Sequence, residues 1–187
     1  LDVTDVDAFG QNNYTEDSEA FTQDITLNYA QDDWSLLGGA SYLYEELDGE
    51  VLVLLNNLGP IIFGAPPGVI PDGIFRQNGT VTTNALGIFI EGTLELSSEF
   101  RVTAGARYNY EKREGKGDFT FSAFNTFVNT DQTESWNAIT PKVLVEYDVS
   151  DDTMIYAGIT RGFKSGVINI GSVNPVIEPE FIWSYET

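Results

Sequence analysis

The feature that most constrains this sequence is a regular alternation of apolar and polar residues along extended segments. Strand side chains point to opposite faces with a period of two, so such a segment forms a strand with one apolar face. Between positions 100 and 111, Phe100, Val102 and Tyr108 fall on one face, whereas Arg101 and Arg107 fall on the other. Similar segments recur along the chain, and the pattern predicts an all-β protein.

Short polar turns at 31–33, 97–99 and 150–152 divide these segments into hairpins. The connections between the hairpins are predicted to be long loops rich in Gly, Asn, Asp and Pro. With a last strand at 181–185 the pattern predicts seven antiparallel strands. The predicted long loops lie near 1–18, 47–80, 112–133 and 166–178.

Strand length separates two architectures that both contain strands with one apolar face. Soluble sandwiches average about five or six residues per strand, whereas membrane barrels use about nine to eleven. The predicted strands here have about 10 to 14 residues, which favours hairpins of a large transmembrane β-barrel. A soluble β-sandwich is the weaker alternative, and it would need a second sheet on the apolar faces.

Aromatic residues cluster near both ends of the predicted strands, as in the interfacial girdles of membrane barrels. The group near the short turns contains Tyr29, Trp34, Phe100 and Tyr147. The group near the long loops contains Tyr42, Tyr44, Tyr108, Tyr110 and Trp136. These two rows are expected to face the two surfaces of a bilayer.

Composition excludes several functions. The formal charge of -20 argues against binding nucleic acid through its phosphates. The absence of Cys and His removes thiolate nucleophiles, imidazole bases and most zinc or haem sites, so no catalytic residue, cofactor or metal is predicted. The longest apolar run, 51–55, is too short for a spanning helix.

Two local motifs resemble ligand-binding loops but have simpler interpretations. Asp2, Asp5 and Asp7 resemble the start of a calcium-binding loop, but Phe9 and the missing closing Glu favour a solvated acidic loop. The RGFKSG stretch at 161–166 lacks the spacing of a phosphate-binding loop. Its cationic residues, Arg161 and Lys164, are predicted to pair with carboxylates at the rim.

Several stretches together resemble the barrel of TonB-dependent outer-membrane receptors. They are ESWNAITPK at 134–142, Tyr147 with the turn at 150–152, MIYA at 154–157, RGFKSG at 161–166 and the pair PE and SYE at 179–180 and 184–186. The two preceding hairpins are similar to those of the family as well. Val167, where the family commonly has Gly, and Asp24, where Glu is usual, are departures.

The resemblance implies a large barrel of about 22 strands with an N-terminal plug, of which this chain would be a plug-free segment of the C-terminal barrel portion. It implies a Gram-negative outer membrane, with membrane lipid, the rest of the barrel, the plug and TonB as partners. The parent, that is the intact receptor to which this segment would belong, would import a scarce ligand such as a ferric siderophore, cobalamin or a carbohydrate.

Ligand contacts are expected from the long loops, without any single residue being identified. The charged side chains of these loops include Asp2, Asp5, Asp7, Glu16, Asp17, Arg76 and Lys116. Their negative excess argues against a strongly anionic ligand.

The sequence is also compatible with a structural function that involves self-association. A segment that does not close a barrel has open strand edges, and these favour self-association. The alternative is therefore a fragment assembled into an extracellular cross-β filament. It predicts copies stacked at about 4.8 Å, with the hairpins unpaired.

Overall fold

The computed structural model describes residues 9–56, 64, 66, 69 and 71–187. Most of these residues are in strands. The strands are β1 (Phe9–Ala30), β2 (Trp34–Leu55), β3 (Gly73–Glu95), β4 (Phe100–Phe121), β5 (Thr126–Ser150), β6 (Thr153–Lys164), β7 (Val167–Ile168), β8 (Val176–Ile177) and β9 (Glu180–Glu186). The main sheet is antiparallel with the strand order β1-β2-β3-β4-β5-β6-β9, and a small second sheet contains β7 and β8. The main sheet is open, with β1 and β9 at its edges.

The three short turns lie where the sequence predicts them. Ala30 pairs with Ser35 across the first turn, and Glu95 pairs with Arg101 across the second. The third turn joins Ser150 to Thr153. Because neighbouring strands pair within one molecule, the structure has barrel-type hairpins and not the stacked layers of the cross-β alternative.

The second turn is held by hydroxyl groups that stabilise a carboxylate. Ser98 Oγ donates a hydrogen bond to Glu99 Oε1 at 2.7 Å, and Ser97 Oγ donates to Oε2 at 3.0 Å. The hydrogen bond from Ser98, followed by that from Ser97, lowers the pKa of Glu99 below its ordinary value.

A pH-dependent prediction follows from this lowered pKa. The contribution of Glu99 to stability is present above the pKa of the unfolded chain and is lost as the pH falls through the folded pKa. Ser98→Ala should therefore lower the melting temperature of the intact protein at neutral pH, and the difference should vanish in acid. Melting curves at both pH values test this, with Ser150→Ala as the control at another turn. An equal loss at both pH values would contradict it.

The two faces of the sheet differ in chemistry from the short turns to about the middle of the strands. The apolar face carries exposed residues in register across strands, such as Ile25 next to Ala40 and Ala40 next to Ile88. Ile25 is 58% exposed and Ile139 is 59% exposed. Among the described residues no second sheet packs on this face, so the arrangement differs from a soluble sandwich.

Aromatic residues border this apolar band as predicted, with one exception. At the short-turn end, Tyr29 contacts Trp34 with ring centroids 5.3 Å apart. Tyr42 and Tyr110 mark the other end, and both pair with Leu86 between them. On β2 the band from position 34 to 44 spans about 25 Å if the strand is tilted by about 45°, which matches a membrane barrel.

Trp136 is the exception, and its assignment to the outer girdle is wrong. It is only 8% exposed, and it lies on the polar face opposite Glu111. The alternation explains this position. Trp136 has an even residue number, whereas Ile139 and the other apolar-face residues of β5 have odd numbers, so their side chains point to opposite faces.

In the predicted loops 1–18, 47–80 and 112–133, most of the residues that the structure describes are in strands, so these three loops are much shorter than predicted. β1 already begins at Phe9. β2 continues to Leu55 and β3 begins at Gly73, while β4 continues to Phe121 and β5 begins at Thr126. The first five strands have 22 to 25 residues, about twice the predicted length. Beyond the apolar band both faces meet water, so the alternation that marks a strand disappears although the backbone pairing continues.

Polar cross-strand contacts stabilise these outer halves. Arg76 Nε lies 2.9 Å from Glu50 Oε1, and Asn129 Nδ2 donates to Asp118 Oδ1 at 2.7 Å. A short 3-10 helix, Ser122–Phe124, and Asn125 at φ 50 reverse the chain between β4 and β5. Asn tolerates this left-handed conformation better than most residues.

Among the described residues, no helix is both long and apolar enough to span a membrane. The few buried side chains lie together on the polar face of β3 to β5 and on β7, and not on the apolar face. They are Thr83, Thr103, Thr130, Trp136, Ala138 and Ile168. The best-packed region is therefore the surface that carries the candidate site.

Candidate functional site

The polar face carries cross-strand ion pairs along its length. Arg101 Nη1 lies 2.7 Å from Asp148 Oδ2, and Lys142 Nζ lies 3.0 Å from Glu91 Oε2. The side chains of Arg101 and Asp148 are only 28% and 32% exposed. Charged side chains are unfavourable in contact with lipid. A face that carries several partly buried ion pairs is therefore suited to the wall of a water-filled bore.

Arg107 is a cation of this face held by several neighbours. Its Nη2 donates to Ser41 Oγ at 2.6 Å, and its Nε donates to Asn109 Oδ1 at 2.8 Å. The guanidinium also lies 5.8 Å from the ring centroid of Phe89. It crosses directly over Gly87, where any Cβ would overlap Nη2. Gly87 therefore makes room for the Arg107 side chain.

We expect Gly87→Ala to displace Arg107 and break its hydrogen bonds. Losing hydrogen bonds of a charged group costs about 1.5–3 kcal/mol, so the free energy of unfolding should fall by about that amount. Urea unfolding of the intact protein in lipid vesicles measures this. Gly92→Ala on the same strand is the matched control, because a Cβ there would be 3.8 Å from Leu36 Cδ1. Equal losses in the two variants would contradict the assignment.

A cavity of about 340 Å³ lies beside Arg107 on the polar face. The main sheet contributes a cation, two carboxylates and several small groups to its lining. These include Asp24, Ser41, Gly87, Arg107, Asn109 and Glu111. Its composition is suited to a polar ligand or a protein surface, and among the described residues no group of three or more His, Cys, Asp and Glu could hold a metal.

The remaining wall of this cavity comes from the chain that follows β6. β6 pairs with β5 from Thr153 to Thr160, and its later residues pair only with β9. Phe163 and Ser165 then line the cavity together with Arg107, so this part of the chain crosses the polar face of β5. Two residues of the RGFKSG motif, Phe163 and Ser165, therefore form one wall of the site.

Among the residues that the structure describes, Arg161 makes no ion pair with a carboxylate, so this prediction is wrong there. Its guanidinium lies 4.3 Å from the ring centroid of Phe181 and 6.0 Å from that of Trp183. Nη1 donates to the carbonyl oxygen of Ile139 at 3.3 Å, at the level where β6 leaves β5. Lys164 does pair as predicted, with its Nζ 3.6 Å from Glu180 Oε2.

The charged residues of the predicted loops that the structure describes do not form one site. Asp2, Asp5 and Asp7, and with them the calcium-like motif, lie outside the described residues. Glu16 and Asp17 line a separate acidic cavity of about 370 Å³ with Asp48 and Glu50. Arg76 pairs with Glu50 and Lys116 lies on β4 opposite Thr80.

The sequence reasoning missed Asp24, Arg107 and Phe163 as neighbours in one cavity. They belong to β1, β4 and β6, and only the tertiary structure brings them together. The alternation did place Arg107 on the polar face, but many charged residues share that face, so this signal alone does not distinguish it.

The fold and the site together define the class of protein. One face is apolar and bordered by aromatic residues, the other is charged and partly buried, and the strands extend well beyond the membrane thickness. A sheet with these properties is part of the wall of a large transmembrane β-barrel.

Comparison with known proteins identifies the family. The family model described as TonB dependent receptor-like, beta-barrel, matches residues 2–187. The chain therefore belongs to the TonB-dependent receptor family, as its sequence motifs indicate, and this is a family of transport receptors and not of enzymes. The search of curated proteins gives no match.

One solved structure supports the same fold. The chain is similar to the ferric yersiniabactin uptake receptor FyuA from Yersinia pestis, with a TM-score of 0.53 and 12% identity. The similarity covers 96% of this chain and 34% of that receptor. The chain thus spans about a third of the length of the receptor that it matches.

Proposed function

We propose that this chain forms part of the barrel wall of a Gram-negative outer-membrane receptor that imports a scarce ligand, with a ferric siderophore as the leading candidate. The main support is the contrast between the two faces of one sheet. The apolar face fits lipid, whereas the opposite face carries the ion pairs and the cavity beside Arg107. Such a wall separates a membrane from an aqueous path.

The same proposal assigns the partners. The edges of β1 and β9 pair with the remaining strands of the parent barrel, since an unpaired edge in a bilayer is strongly unfavourable. The polar face meets the plug of the parent. TonB supplies energy through the parent and not through this sheet. No step requires a catalytic residue or a cofactor from this chain.

Two observations support this choice of ligand class, one from a similar receptor and one from the charge of the outer surface. The similar receptor from Yersinia pestis is described as taking up ferric yersiniabactin. Ligand contacts come from the outward ends of the strands, where the acidic excess disfavours a strongly anionic ligand. A ferric complex with little net negative charge is therefore the best candidate.

Iron uptake by cells that express the intact receptor tests this function. Cells lacking their own siderophore receptors are supplied with a panel of radiolabelled ferric siderophores, ferric yersiniabactin included. We expect saturable uptake of at least one, abolished when TonB is deleted. If no ferric siderophore is taken up but cobalamin or an oligosaccharide is imported in a TonB-dependent manner, the siderophore assignment is wrong and the import function still holds.

A further inference from the structure

Residues 165–178, here called the inward hairpin, follow β6 and contain β7 and β8. Val167 pairs with Ile177 and Ile168 pairs with Val176. The sequence predicts a long outer loop in this region, but the hairpin lies on the polar face of β3, β4 and β5. Its position places it inside the wall of the bore.

Glycines on the polar face make room for the side chains of the inward hairpin. A Cβ on Gly115 would lie 2.6 Å from Ile168 Cγ2, and a Cβ on Gly117 would lie 2.8 Å from Ile170 Cγ2. Gly79 lies directly opposite Gly117, and a Cβ on it would lie 2.6 Å from Ile170 Cδ1. A Cβ on either of these two glycines would come still closer to a backbone oxygen of the neighbouring strand, so they serve the pairing of β3 with β4 as well as the hairpin. Ile168 is only 6% exposed, so this contact excludes water.

Hydrogen bonds also hold the inward hairpin on β3 and β5, the two strands that flank β4. Gln77 Nε2 on β3 donates to the carbonyl oxygen of Ile170 at 2.7 Å. The backbone N–H of Gly171 donates to Thr130 Oγ1 on β5 at 3.0 Å. Thr130 is 2% exposed, so the hairpin shields this hydroxyl from solvent. Such contacts favour a docked hairpin over one that moves freely.

The base of the inward hairpin is anchored at Trp136. A Cβ on Gly166 would lie 2.5 Å from Trp136 Cζ2, so only glycine allows the chain to pass this close to the ring. Gly166 is buried as well. The hairpin is therefore fixed at its base and along its length.

The inward hairpin lines two cavities. Nearer the outward ends of the strands, Ile168 faces Tyr14 and Gln77 around a space of about 220 Å³. Nearer the short turns, Ser165 lines the cavity of about 340 Å³ beside Arg107. A ligand that passes along this wall meets residues of the hairpin at both cavities.

We propose that the inward hairpin is a fixed inner wall of the import path, which stays docked on the glycines of β3 and β4 while ligand passes. Gly115 is a positioning residue for it, because the three atoms nearest to a Cβ there would all belong to Ile168. This inference rests on the proposed import function, but the docking of the hairpin is testable without any ligand.

Cysteine labelling tests docking in the intact receptor. Thr130→Cys, in a segment of sequence that has no other cysteine, should react slowly with a maleimide because the hairpin covers this position. Adding Gly115→Val should make labelling fast, and adding Ile168→Ala to that variant should make it slow again. Fast labelling of Thr130→Cys in the otherwise unchanged receptor would overturn the docked arrangement.

A disulfide lock tests whether the hairpin stays docked during import. A Cβ on Gly115 would lie 3.2 Å from Ile168 Cβ, so Gly115→Cys with Ile168→Cys should cross-link on oxidation after a small adjustment. Gly115→Cys with Val173→Cys is the control, because Val173 is 82% exposed.

Uptake of whichever ferric siderophore the unmodified receptor imports is then compared before and after oxidation. We expect equal rates, whereas loss of uptake on oxidation, restored by a reductant, would show that the hairpin is a moving lid. If the unmodified receptor imports no siderophore, the proposed ligand is wrong. The labelling result still decides whether the hairpin is docked.

Discussion

Replacing Trp136 with alanine is expected to lower the free energy of unfolding of the intact receptor by about 3–5 kcal/mol. The side chain is 8% exposed and lies against Gly166 on the polar face of β5. Truncation leaves a cavity beneath the inward hairpin, and the surrounding strands cannot close over it because their pairing fixes the backbone. Urea unfolding in lipid vesicles measures the loss.

A second tryptophan provides the control for this prediction. Trp183 on β9 is 48% exposed, so its replacement with alanine removes less buried surface and should cost clearly less. The Trp136 variant should also label faster at Thr130→Cys, because the base of the hairpin loses its contact. Equal costs for the two tryptophans would mean that Trp136 is not part of a packed interior.

Replacing Val143 with arginine is expected to cost about 2–4 kcal/mol, the value for a cation at the middle of a bilayer on the outer face of a barrel. Val143 is 41% exposed and lies between Ile139 and Tyr147 on the apolar face of β5. The measurement is the urea midpoint of the intact receptor in vesicles, together with the yield of folded protein.

The neighbouring residue gives a matched control on the opposite face. Leu144 is also aliphatic, but it points to the polar face, where Thr103 is its partner on β4 and Gly158 its partner on β6. Arginine at Leu144 faces water and the carboxylate of Glu146 two residues away, so it should cost much less than arginine at Val143. The reverse order of the two costs would show that the apolar face does not meet lipid.

Sequence patterns were informative wherever lipid and water differ across the sheet. The alternation of Phe100, Val102 and Tyr108 with Arg101 and Arg107 predicted both faces of β4. The turn residues predicted the three reversals that join β1 to β2, β3 to β4 and β5 to β6. The motifs at 134–142 and 161–166 indicated the family that the comparison with known proteins then established.

The same patterns do not identify strands in the outer halves of the sheet, where both faces meet water. Residues 112–121 were predicted to be loop, yet they continue β4 because strand pairing needs only backbone groups. Its residue type assigns Trp136 to the girdle, whereas its position in the alternation places it on the polar face, where the structure has it. Residue type alone was therefore a weaker guide than position.

The sequence by itself determined the strands within the membrane, the face that meets lipid and the turns, because each depends on neighbours a few residues apart. Only the tertiary structure decided where the inward hairpin lies. Its contacts join residues far apart in the chain, such as Gln77 and Ile170, whose positions differ by 93. A glycine such as Gly115 has no side chain to mark its role, so this docking site is visible only once the strands are paired.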